Sequence, residues 1–464
     1  MSSSSEKESR EPLLQLTTAS KPKRRALKIK HPICLIVLII LAIINVFCIV
    51  AAISYRLSSH LLSSKALESC AWSLLEEHVS LLDVPAISRS EFLTRQSTLA
   101  SALQDAGVDA FIAEPSASSL YFANISTTYE LSERPFLIIV SASGNFSYLA
   151  PKFEIGRIAG LEMAYDSKKV IEWKEEESPY EVLKRETGYA KVMVDEHVRF
   201  MIASGLTGVG VDVVPMSREI QSLRAVKSEA ELAILKGINI LTLQLVRSLQ
   251  GCIKLGMTQN TIQTAAHGLF TKAGVGEGFW AIVLFGEQAA SPHGGSSGGE
   301  LKNGEFVLID IGSSLHGYGS DVTRTILPSK STVSAELMDV WNTVHAAQGA
   351  AIELMKVNET CSVVDATSRK VIQDAGLGEF FTHRLGHGLG LEMHEHPYLN
   401  GANDEKLKVG EVVTNEPGIY VTPEQAREMS KDVGFGVRIE DAVLVTENGG
   451  VVMTGARARS PWKP

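Results

Sequence analysis

Cysteine is scarce in this sequence: 464 residues contain five, and no two of them form a CxxC pair. Two of the five, Cys34 and Cys48, lie in an uncharged apolar stretch, which leaves Cys70, Cys252 and Cys361, an odd number. This distribution predicts neither a disulfide framework nor a zinc knuckle. No internal repeat of about 20 to 50 residues is visible either.

Basic residues are fewer than acidic ones: the sequence contains 44 Lys and Arg and 53 Asp and Glu, a net charge of −9. A protein that follows nucleic-acid phosphates needs a basic face, so this function class is disfavoured and no nucleic-acid partner is expected. Proline is limited to 16 residues, while 45% of the chain is hydrophobic, which excludes a disordered or collagenous protein. The length predicts two domains and an appendage.

The basic residues are concentrated at one end of the chain. Residues 1–31 contain eight Lys or Arg and three Glu, a net charge of +5, so the remainder of the chain carries −14. The next 22 residues are uncharged, and residues 33–53 are almost entirely apolar, close to the ~20 residues that span a bilayer core. A buried core helix would show a polar face, and a signal peptide would have a shorter apolar core. We therefore expect a basic tail over 1–31 and a single transmembrane anchor over 32–54.

The charges that flank this stretch predict its orientation. Six Lys or Arg lie between residues 21 and 30, and only Arg56 and Lys65 follow closely. The positive-inside rule then places the amino terminus in the cytosol and the large part of the chain that follows the anchor in a lumen or outside the cell. Three acceptor sequons, at Asn124, Asn145 and Asn358, are consistent with a glycoprotein on that side.

Three further segments follow the anchor. Residues 55–88 resemble a helical stem, and residues 89–222 show the pattern of a smaller α/β domain. In the latter, Ser90 is expected to cap a helix that ends near Ala106, and two apolar runs flanking a Ser-Gly-Asn turn at 143–145 predict a hairpin.

Residues 223–464 form the second predicted domain, in which long amphipathic helices alternate with short apolar strands. Helices are expected at 228–250, 258–273, 334–355 and 362–375, and strands at 306–311, 322–327, 412–414 and 437–445. Hairpin-linked strands between long helices, with no βαβ fingerprint, predict an α+β fold with a mostly antiparallel sheet.

One predicted hairpin carries two carboxylates, one at the end of its first strand and one just before its second strand. An apolar strand ends in Asp310, and the chain returns through three glycines to Asp321. With the turn centred between Leu315 and His316, the two Asp residues would face each other across the ladder, ~5 Å apart. Paired carboxylates repel each other unless a divalent cation lies between them. Ordinary turn acids are the alternative interpretation.

Four histidines occur within fourteen residues of a glycine-rich segment: His383, His387, His394 and His396. Glycines let the backbone approach a bound group while imidazoles converge on it. Two glutamates, Glu416 and Glu440, each follow an apolar strand, and Arg438 shares a predicted strand face with Glu440. A set of carboxylates with one imidazole suits a pair of Mn, Zn or Co ions.

Five motifs occur in order between Lys227 and Gly449: SPHGG, VLIDIG with SDVTRT, HRLGHGLGLEMHEHP, NEPGIY and GVRIEDAVLVTENG. In these motifs the chain resembles the pita-bread metallopeptidases, the family of creatinase, prolidase, aminopeptidase P and methionine aminopeptidase. It is most similar to the Xaa-Pro dipeptidase and aminopeptidase P branch. The resemblance implies a carboxy-terminal pita-bread catalytic domain, preceded by a smaller α/β domain of creatinase type, and it leaves residues 1–87 outside.

The resemblance also implies a role for each motif residue. Two divalent ions, manganese in the first place and zinc or cobalt as alternatives, would be bound by Asp310, Asp321, His387, Glu416 and Glu440. Glu416 would also act as the general base, and His293 and His394 would face the substrate as catalytic groups. His383 and Arg438 would contact the ligands or the substrate.

The expected activity is that of a metal-dependent exopeptidase. It would remove the first residue from Xaa-Pro peptides, or split Xaa-Pro dipeptides, through a hydroxide bound between the two ions. The expected partners are small peptides with proline in second position and the membrane, and a homodimer is compatible with the resemblance. A membrane-tethered binding protein without turnover is the alternative, but no ligand of the set is missing. Cleavage of an amino-terminal Met is disfavoured by the long first domain and by the lumenal side.

Overall fold

The structure is a computed structural model that describes residues 32–125, 131–159, 161, 169–295, 298–429 and 433–464. The predicted basic tail, 1–31, lies outside the described residues. Contacts divide the chain into two compact units, Met1–Ser59 and His60–Pro464. In the first unit, the described residues belong to the helix Pro32–Leu75 (α1), which continues into the second unit.

The described residues of the second unit contain eleven further α-helices. They are α2 Arg89–Asp105, α3 Ala117–Ala123, α4 Ile155–Ala159, α5 Pro179–Thr187, α6 Phe200–Gly208, α7 Arg218–Ala225, α8 Glu229–Cys252, α9 Gln259–Lys272, α10 Ala335–Leu354, α11 Cys361–Asp374 and α12 Pro423–Glu428. Side-chain caps begin most of them. The hydroxyl of Ser228 accepts the amide of Glu231 at the start of α8, and the Glu231 carboxylate accepts the Ser228 amide in return.

The described strands number eighteen. They are β1 Ala110–Ala113, β2 Leu137–Ser141, β3 Phe146–Pro151, β4 Lys169–Trp173, β5 Lys191–Val194, β6 Asp212–Pro215, β7 Trp280–Phe285, β8 Val307–Gly312, β9 Ser314–Leu315, β10 Tyr318–Gly319, β11 Val322–Ile326, β12 Gly386–Gly388, β13 Glu395–Leu399, β14 Val412–Asn415, β15 Gly418–Val421, β16 Phe435–Arg438, β17 Asp441–Val445 and β18 Gly450–Val452. The first six form one sheet in the order β4-β3-β2-β1-β5-β6.

That first sheet is mixed. Strand β1 pairs in parallel with β5 and antiparallel with β2, and the predicted hairpin is present as the antiparallel pair β2–β3. Helices α3 to α6 lie between these strands in sequence, α2 precedes them and α7 follows them. This is the α/β pattern expected for the smaller domain.

The strands of the catalytic part pair antiparallel throughout the described sheets. One sheet has the order β11-β8-β7 and another the order β13-β12-β14-β17-β18, with β15 paired to β16. Two apolar clusters fill the space between these sheets and the helices, one around α8 and α9 and the other around α10 and α11. The predicted α+β class with a mostly antiparallel sheet is confirmed here.

The hairpin β8–β11 has a different register from the predicted one. Asp310 pairs with Thr323, and Leu315 pairs with Tyr318, so the turn is centred between His316 and Gly317. Both of these residues have positive φ, 51° and 85°, as the two central residues of a type I′ turn do. The predicted direct pairing of Asp310 with Asp321 is wrong by two residues, but a two-residue shift keeps both side chains on one face.

Two local predictions also need correction. The side chain that caps α2 is Ser88, which accepts the amide of Glu91, and Ser90 lies inside the helix. The predicted single strand 437–445 is two strands, β16 and β17, that pair with different partners. The strand breaks at 439–440 because the chain leaves β15 there and joins β14.

A membrane-spanning helix was expected over 32–54. Among the described helices one is long and apolar enough to cross a bilayer, α8, and 67% of its apolar window is buried. It is the core helix of the catalytic part. Of the apolar stretch in α1, the structure describes the side chains of Ile39–Ala51 without a gap, and all of them are exposed. The anchor therefore stays a prediction.

The predicted stem, 55–88, contributes to the catalytic core. Leu67, Ala71 and Leu75 of α1 are fully buried in the cluster that surrounds α8. On the same side of the helix, Cys70 forms a disulfide with Cys252 at the end of α8. The sequence predicted no disulfide framework and gave no sign of this single bond, because 182 residues separate the two cysteines and only helix packing brings them together.

Candidate metal centre

Two carboxylates enter the site from the hairpin β8–β11. Asp310 lies in β8 and Asp321 directly before β11, and both side chains are buried, 7% and 4% exposed as residues. Burial raises the pKa of Asp310, although the neighbouring Arg438 opposes the shift. Burial and the charge of Asp310 raise the pKa of Asp321 well above its usual range. Buried carboxylates that disfavour each other's ionisation in this way are stabilised by a cation between them.

His387 of β12 brings the imidazole of the site. Its Nε2 lies 3.3 Å from Oε1 of Glu416 and 3.8 Å from Oδ2 of Asp321. Its Nδ1 lies 3.1 Å from the carbonyl oxygen of Gly388. Because a carbonyl oxygen can only accept a hydrogen bond, Nδ1 carries the proton and donates it. This tautomer leaves the Nε2 lone pair directed at the carboxylates, as in metal-binding histidines.

Glu440 lies in the break between β16 and β17. Thr323 donates a 2.6 Å hydrogen bond to its Oε2, and its amide donates to the Thr323 carbonyl oxygen. Burial and the charge of Asp321 raise the pKa of Glu440 well above its usual range. Glu440 therefore lies at the centre because β16, which pairs with β15, ends just before it and β17, which pairs with β14, begins just after it.

The donor set fits divalent metal ions. Ligand atoms of Asp321, His387 and Glu440 all lie within 4.8 Å of one another. Among the described side chains, Oδ1 of Asp310 and Oε1 of Glu440 are buried without a hydrogen-bond partner. A buried carboxylate oxygen without a partner is costly, and a cation in the cluster would satisfy both.

A network of neutral and cationic groups surrounds these ligands. Arg438 donates to Oδ2 of Asp310 at 2.5 Å, to Oγ1 of Thr323 at 3.1 Å and to the hydroxyl of Tyr420 at 2.9 Å. The Tyr420 hydroxyl lies 2.8 Å from Nε2 of His383. The planar guanidinium thus orients a carboxylate of the centre and links it to His383.

The ligands form the floor of a cavity of about 800 Å3. His293 and His394 are exposed in its wall, and the rings of His394 and His387 are edge to face, 4.2 Å between centroids. All predicted site residues therefore meet in one cavity or in direct contact with it. The catalytic and ligand roles assigned to them stay predictions.

Several residues of the site were not assigned a role from the sequence. Trp280 and Ile282 of β7, Arg384 and Met393 line the cavity, and Tyr420 contacts Arg438. Three of the five lie in recognised motifs, next to assigned residues. Trp280 and Ile282 had no such signal, since β7 reaches the site only by pairing with β8, where Ile282 faces Asp310.

Comparisons with known proteins agree with this geometry. Residues 233–447 match the model of metallopeptidase family M24, and residues 95–226 match the creatinase/prolidase amino-terminal domain. An uncharacterized peptidase of Schizosaccharomyces pombe is 43% identical over 392 residues, which cover 82% of this chain and 84% of that protein. The chain belongs to metallopeptidase family M24.

Solved structures extend the likeness of this M24 peptidase. The crystal structure of dipeptidase PepE from Mycobacterium ulcerans matches with a TM-score of 0.73 and 28% identity, over 80% of this chain and 98% of that one. Prolidase from Pyrococcus furiosus matches with a TM-score of 0.65 and 26% identity, over 77% and 99%. The predicted family and the predicted metallopeptidase class are confirmed, and an exopeptidase is the activity that these relatives support. Enzymes of the family use a dinuclear divalent metal site.

Proposed function

We propose that this M24 peptidase hydrolyses the Xaa-Pro bond of short peptides, with two divalent ions held by Asp310, Asp321, His387, Glu416 and Glu440. The observation that carries the proposal is the convergence of four buried or half-buried carboxylates and one oriented imidazole at the floor of a single cavity. Four carboxylates offset the charge of two divalent ions. The comparisons give no support to a binding protein without turnover.

The site suggests a division of labour among the ligands. Asp321, His387 and Glu440 have ligand atoms within 4.8 Å of one another, Glu416 lies 3.3 Å from His387, and Asp310 lines the same cavity. When bound, the ions would polarise the scissile carbonyl and make water nucleophilic near neutral pH. Hard oxygen ligands favour manganese, with zinc or cobalt as substitutes.

Glu416 has the properties of the general base. Burial alone would raise its pKa, but without a metal ion a second proton on His387, at Nε2, is donated to Glu416, and this hydrogen bond and charge lower the pKa of Glu416 to about 2. A metal ion would take the place of that proton and favour the ionised carboxylate in the same way. At neutral pH its carboxylate is therefore ionised and can accept a proton. His394 complements it, because burial and the neighbouring His387 lower its pKa to about 4 and keep the ring neutral. A neutral imidazole N–H can donate to the oxyanion or to the leaving nitrogen.

The cavity wall supports the choice of an Xaa-Pro bond. The bond preceding proline has no N–H, so a protease that docks its substrate by strand pairing handles it poorly. Here Trp280, Ile282, Pro292 and Met393 give the cavity an apolar side that a pyrrolidine ring can contact. Binding in such a cavity requires no strand pairing.

Arg384 favours dipeptides over longer substrates. Its guanidinium lies over the ring of Tyr398, 4.6 Å from the centroid, and lines the cavity. No carboxylate of the described residues forms an ion pair with it, unlike the buried Arg438, which pairs with Asp310. A free guanidinium can bind the terminal carboxylate of a short peptide with two parallel hydrogen bonds.

A length series tests the proposed substrate. Purified full-length protein loaded with Mn, Co or Zn would be assayed on Xaa-Pro, Xaa-Pro-Yaa, longer Xaa-Pro peptides and Xaa-Ala controls. We expect the wild type to cleave in a metal-dependent way with the highest kcat/KM for Xaa-Pro. The variant Asp321→Asn should show no cleavage of any of these substrates. Equal rates on Xaa-Ala would contradict the Xaa-Pro specificity, and full activity of Asp321→Asn would contradict the metal site.

We also propose that residues 32–54 anchor the protein in a membrane with its catalytic part in a lumen or outside the cell. Within the apolar stretch, the amide of Asn45 donates to the carbonyl oxygen of Leu41, which removes one unpaired polar group from the bilayer. The Cys70–Cys252 disulfide fits an oxidising compartment. Asn145 and Asn358 are exposed, as glycosylation requires.

Protease protection of membrane vesicles tests this topology. We expect the catalytic part to be protected in intact microsomes and to lose mass on treatment with a glycosidase that removes N-linked glycans. Digestion of the catalytic part without detergent would overturn the orientation. Light scattering of the solubilised protein would test the expected homodimer.

A further inference from the structure

The loop between β12 and β13, residues 389–394, touches two different parts of the molecule. Met393 and His394 line the metal cavity. Leu391 packs against the apolar cluster of the amino-terminal domain that contains Tyr121. Glu392, between them, points to the same domain. The loop therefore connects that domain to the wall of the active site.

Glu392 is held by a histidine of the amino-terminal domain and an arginine near the end of that domain. One carboxylate oxygen lies 2.5 Å from Nε2 of His197, and the other accepts a hydrogen bond from Arg224. The hydrogen bond with Glu392 raises the pKa of His197, so the contact is strengthened by charge. The side chain of Arg224 is 5% exposed, which limits screening of its ion pair by solvent.

Arg224 is held by hydrogen bonds to groups other than Glu392. Its Nη1 donates to the hydroxyl of Ser118 at 3.0 Å, and that hydroxyl donates to Asp195 at 2.5 Å. Both Ser118 and Asp195 are buried in the amino-terminal domain. The position of the guanidinium, and with it the position of Glu392, is thus set by groups of that domain.

The end of the loop is held in the same way. Glu395, at the start of β13, accepts a 2.5 Å hydrogen bond from Lys227, and both side chains are at most 4% exposed. The Lys227 ammonium also donates to the carbonyl oxygens of Arg224 and Ala225, at 2.6 Å and 3.1 Å. The loop therefore shares one polar cluster with Arg224, near the end of the matched amino-terminal domain, and with Lys227, directly after it.

We propose that the amino-terminal domain positions His394 through Glu392. Glu392, His197 and Arg224 are positioning residues in this proposal: they touch no substrate, and they hold a loop whose other face presents His394 and Met393 to the cavity. The proposal rests on the proposed peptidase function for the role of His394, but the positioning itself is a property of the structure.

The physical need for such a contact follows from the composition of the loop. Gly388 and Gly390 flank Leu389, and glycine leaves the backbone with many accessible conformations. A misplacement of about 1 Å can cost a catalytic group roughly 100-fold in rate. Two ion pairs and one apolar contact on the outer face restrict the loop without occupying the cavity.

A double-mutant cycle tests the proposal with the full-length, metal-loaded protein. Glu392→Ala should lower kcat by roughly 10- to 100-fold, with a smaller change in KM, and Glu392→Gln, which keeps the volume, should lose less. In the His394→Ala background, Glu392→Ala should have almost no further effect, because its action passes through His394. Glu175→Gln, which breaks the exposed ion pair with Arg134 in the same domain, is the matched control and should behave as wild type.

Hydrogen exchange of the segment 388–395 supplies a readout that needs no substrate. We expect faster exchange in Glu392→Ala than in the wild type and in Glu175→Gln. Faster exchange in a protein without peptidase activity would retain the positioning and reject the proposed function. Unchanged exchange, or an equal loss of kcat in both backgrounds of the cycle, would overturn the positioning.

Discussion

Arg438 donates a 2.5 Å hydrogen bond to Oδ2 of Asp310 and leaves Oδ1 of the same carboxylate buried without a partner among the described residues. Arg438 orients one oxygen, and the other stays available to a cation in the cavity that Asp310 lines with the other predicted ligands. The pair explains how a buried acid next to other acids is kept in a geometry suited to metal binding.

Arg438→Met should weaken metal binding by roughly 10- to 100-fold, which is the usual cost of losing a group that orients a ligand. Burial raises the pKa of Asp310 and Arg438 opposes it, so without the guanidinium a proton competes better with the metal. Titration of the metal-free protein with Mn checks this. Arg438→Lys keeps the charge and tests the fork geometry, and Arg427→Met, at an exposed ion pair, is the control. Unchanged affinity in Arg438→Met would contradict the assignment.

Arg384→Met should raise KM for Xaa-Pro dipeptides by roughly 10-fold or more and should leave longer Xaa-Pro peptides nearly unchanged, since only a dipeptide places its carboxylate at this guanidinium. The KM of Arg384→Lys for dipeptides should lie between the values of the wild type and of Arg384→Met, because a lysine keeps the charge but cannot form the bidentate contact. Steady-state kinetics on a dipeptide and on a pentapeptide measure the difference. The same loss on both substrates would show that Arg384 acts on something other than the terminal carboxylate.

Removal of the metal should lower the stability of the folded protein. A ligand that binds only the folded state stabilises it by about 2.7 kcal/mol at 100 times its Kd. Tm of chelator-treated protein should therefore fall and should recover on addition of Mn. Asp321→Asn is the control, since its Tm should respond less to the metal. A wild-type Tm that is insensitive to chelation would argue against the site.

Reduction of the Cys70–Cys252 disulfide should destabilise the catalytic unit by about 2 to 5 kcal/mol, the usual effect of removing a native disulfide. The bond joins α1 to α8, and Leu67 and Leu75 are buried beside it. Thermal unfolding of the solubilised protein with and without reductant measures the effect. A Cys70→Ser/Cys252→Ser variant should be insensitive to the reductant, and a response equal to that of the wild type would trace the effect to another cause.

The stability contributed by the His197–Glu392 pair should depend on pH. Its contact with Glu392 raises the pKa of His197, so this contribution is complete below the usual value of 6.5 and is lost as pH rises through the raised pKa. Burial alone would raise the pKa of Glu392, but the hydrogen bonds and charges of His197 and Arg224 together lower it, so its contribution is present above 4.5 and is lost at lower pH.

The difference in Tm between the wild type and His197→Gln should therefore be largest between pH 4.5 and 6.5 and small at pH values of about 8 to 9. His197 is about half exposed, so solvent screening limits the effect to less than about 1 kcal/mol. Thermal scans at about pH 5.5 and about pH 8.5 measure it. A constant difference across this range would show that the contact is not an ion pair.

The sequence alone named the residues of the predicted centre. Acids after apolar strands and histidines among glycines are local patterns that indicated the segments, and the resemblance carried by five ordered motifs named Asp310, Asp321, His387, Glu416 and Glu440 as the ligands. The α/β and α+β classes followed from the periods of apolar residues, which depend on neighbours in the chain.

Tertiary structure decided what depends on partners distant in sequence. The hairpin register followed from the positive φ of His316 and Gly317, and Glu440 reached the site because β16 and β17 choose different partner strands. The Cys70–Cys252 disulfide and the hydrogen bond between His197 and Glu392 each join residues more than 180 positions apart. Packing of whole helices and domains creates such contacts, and no local pattern of residues encodes them.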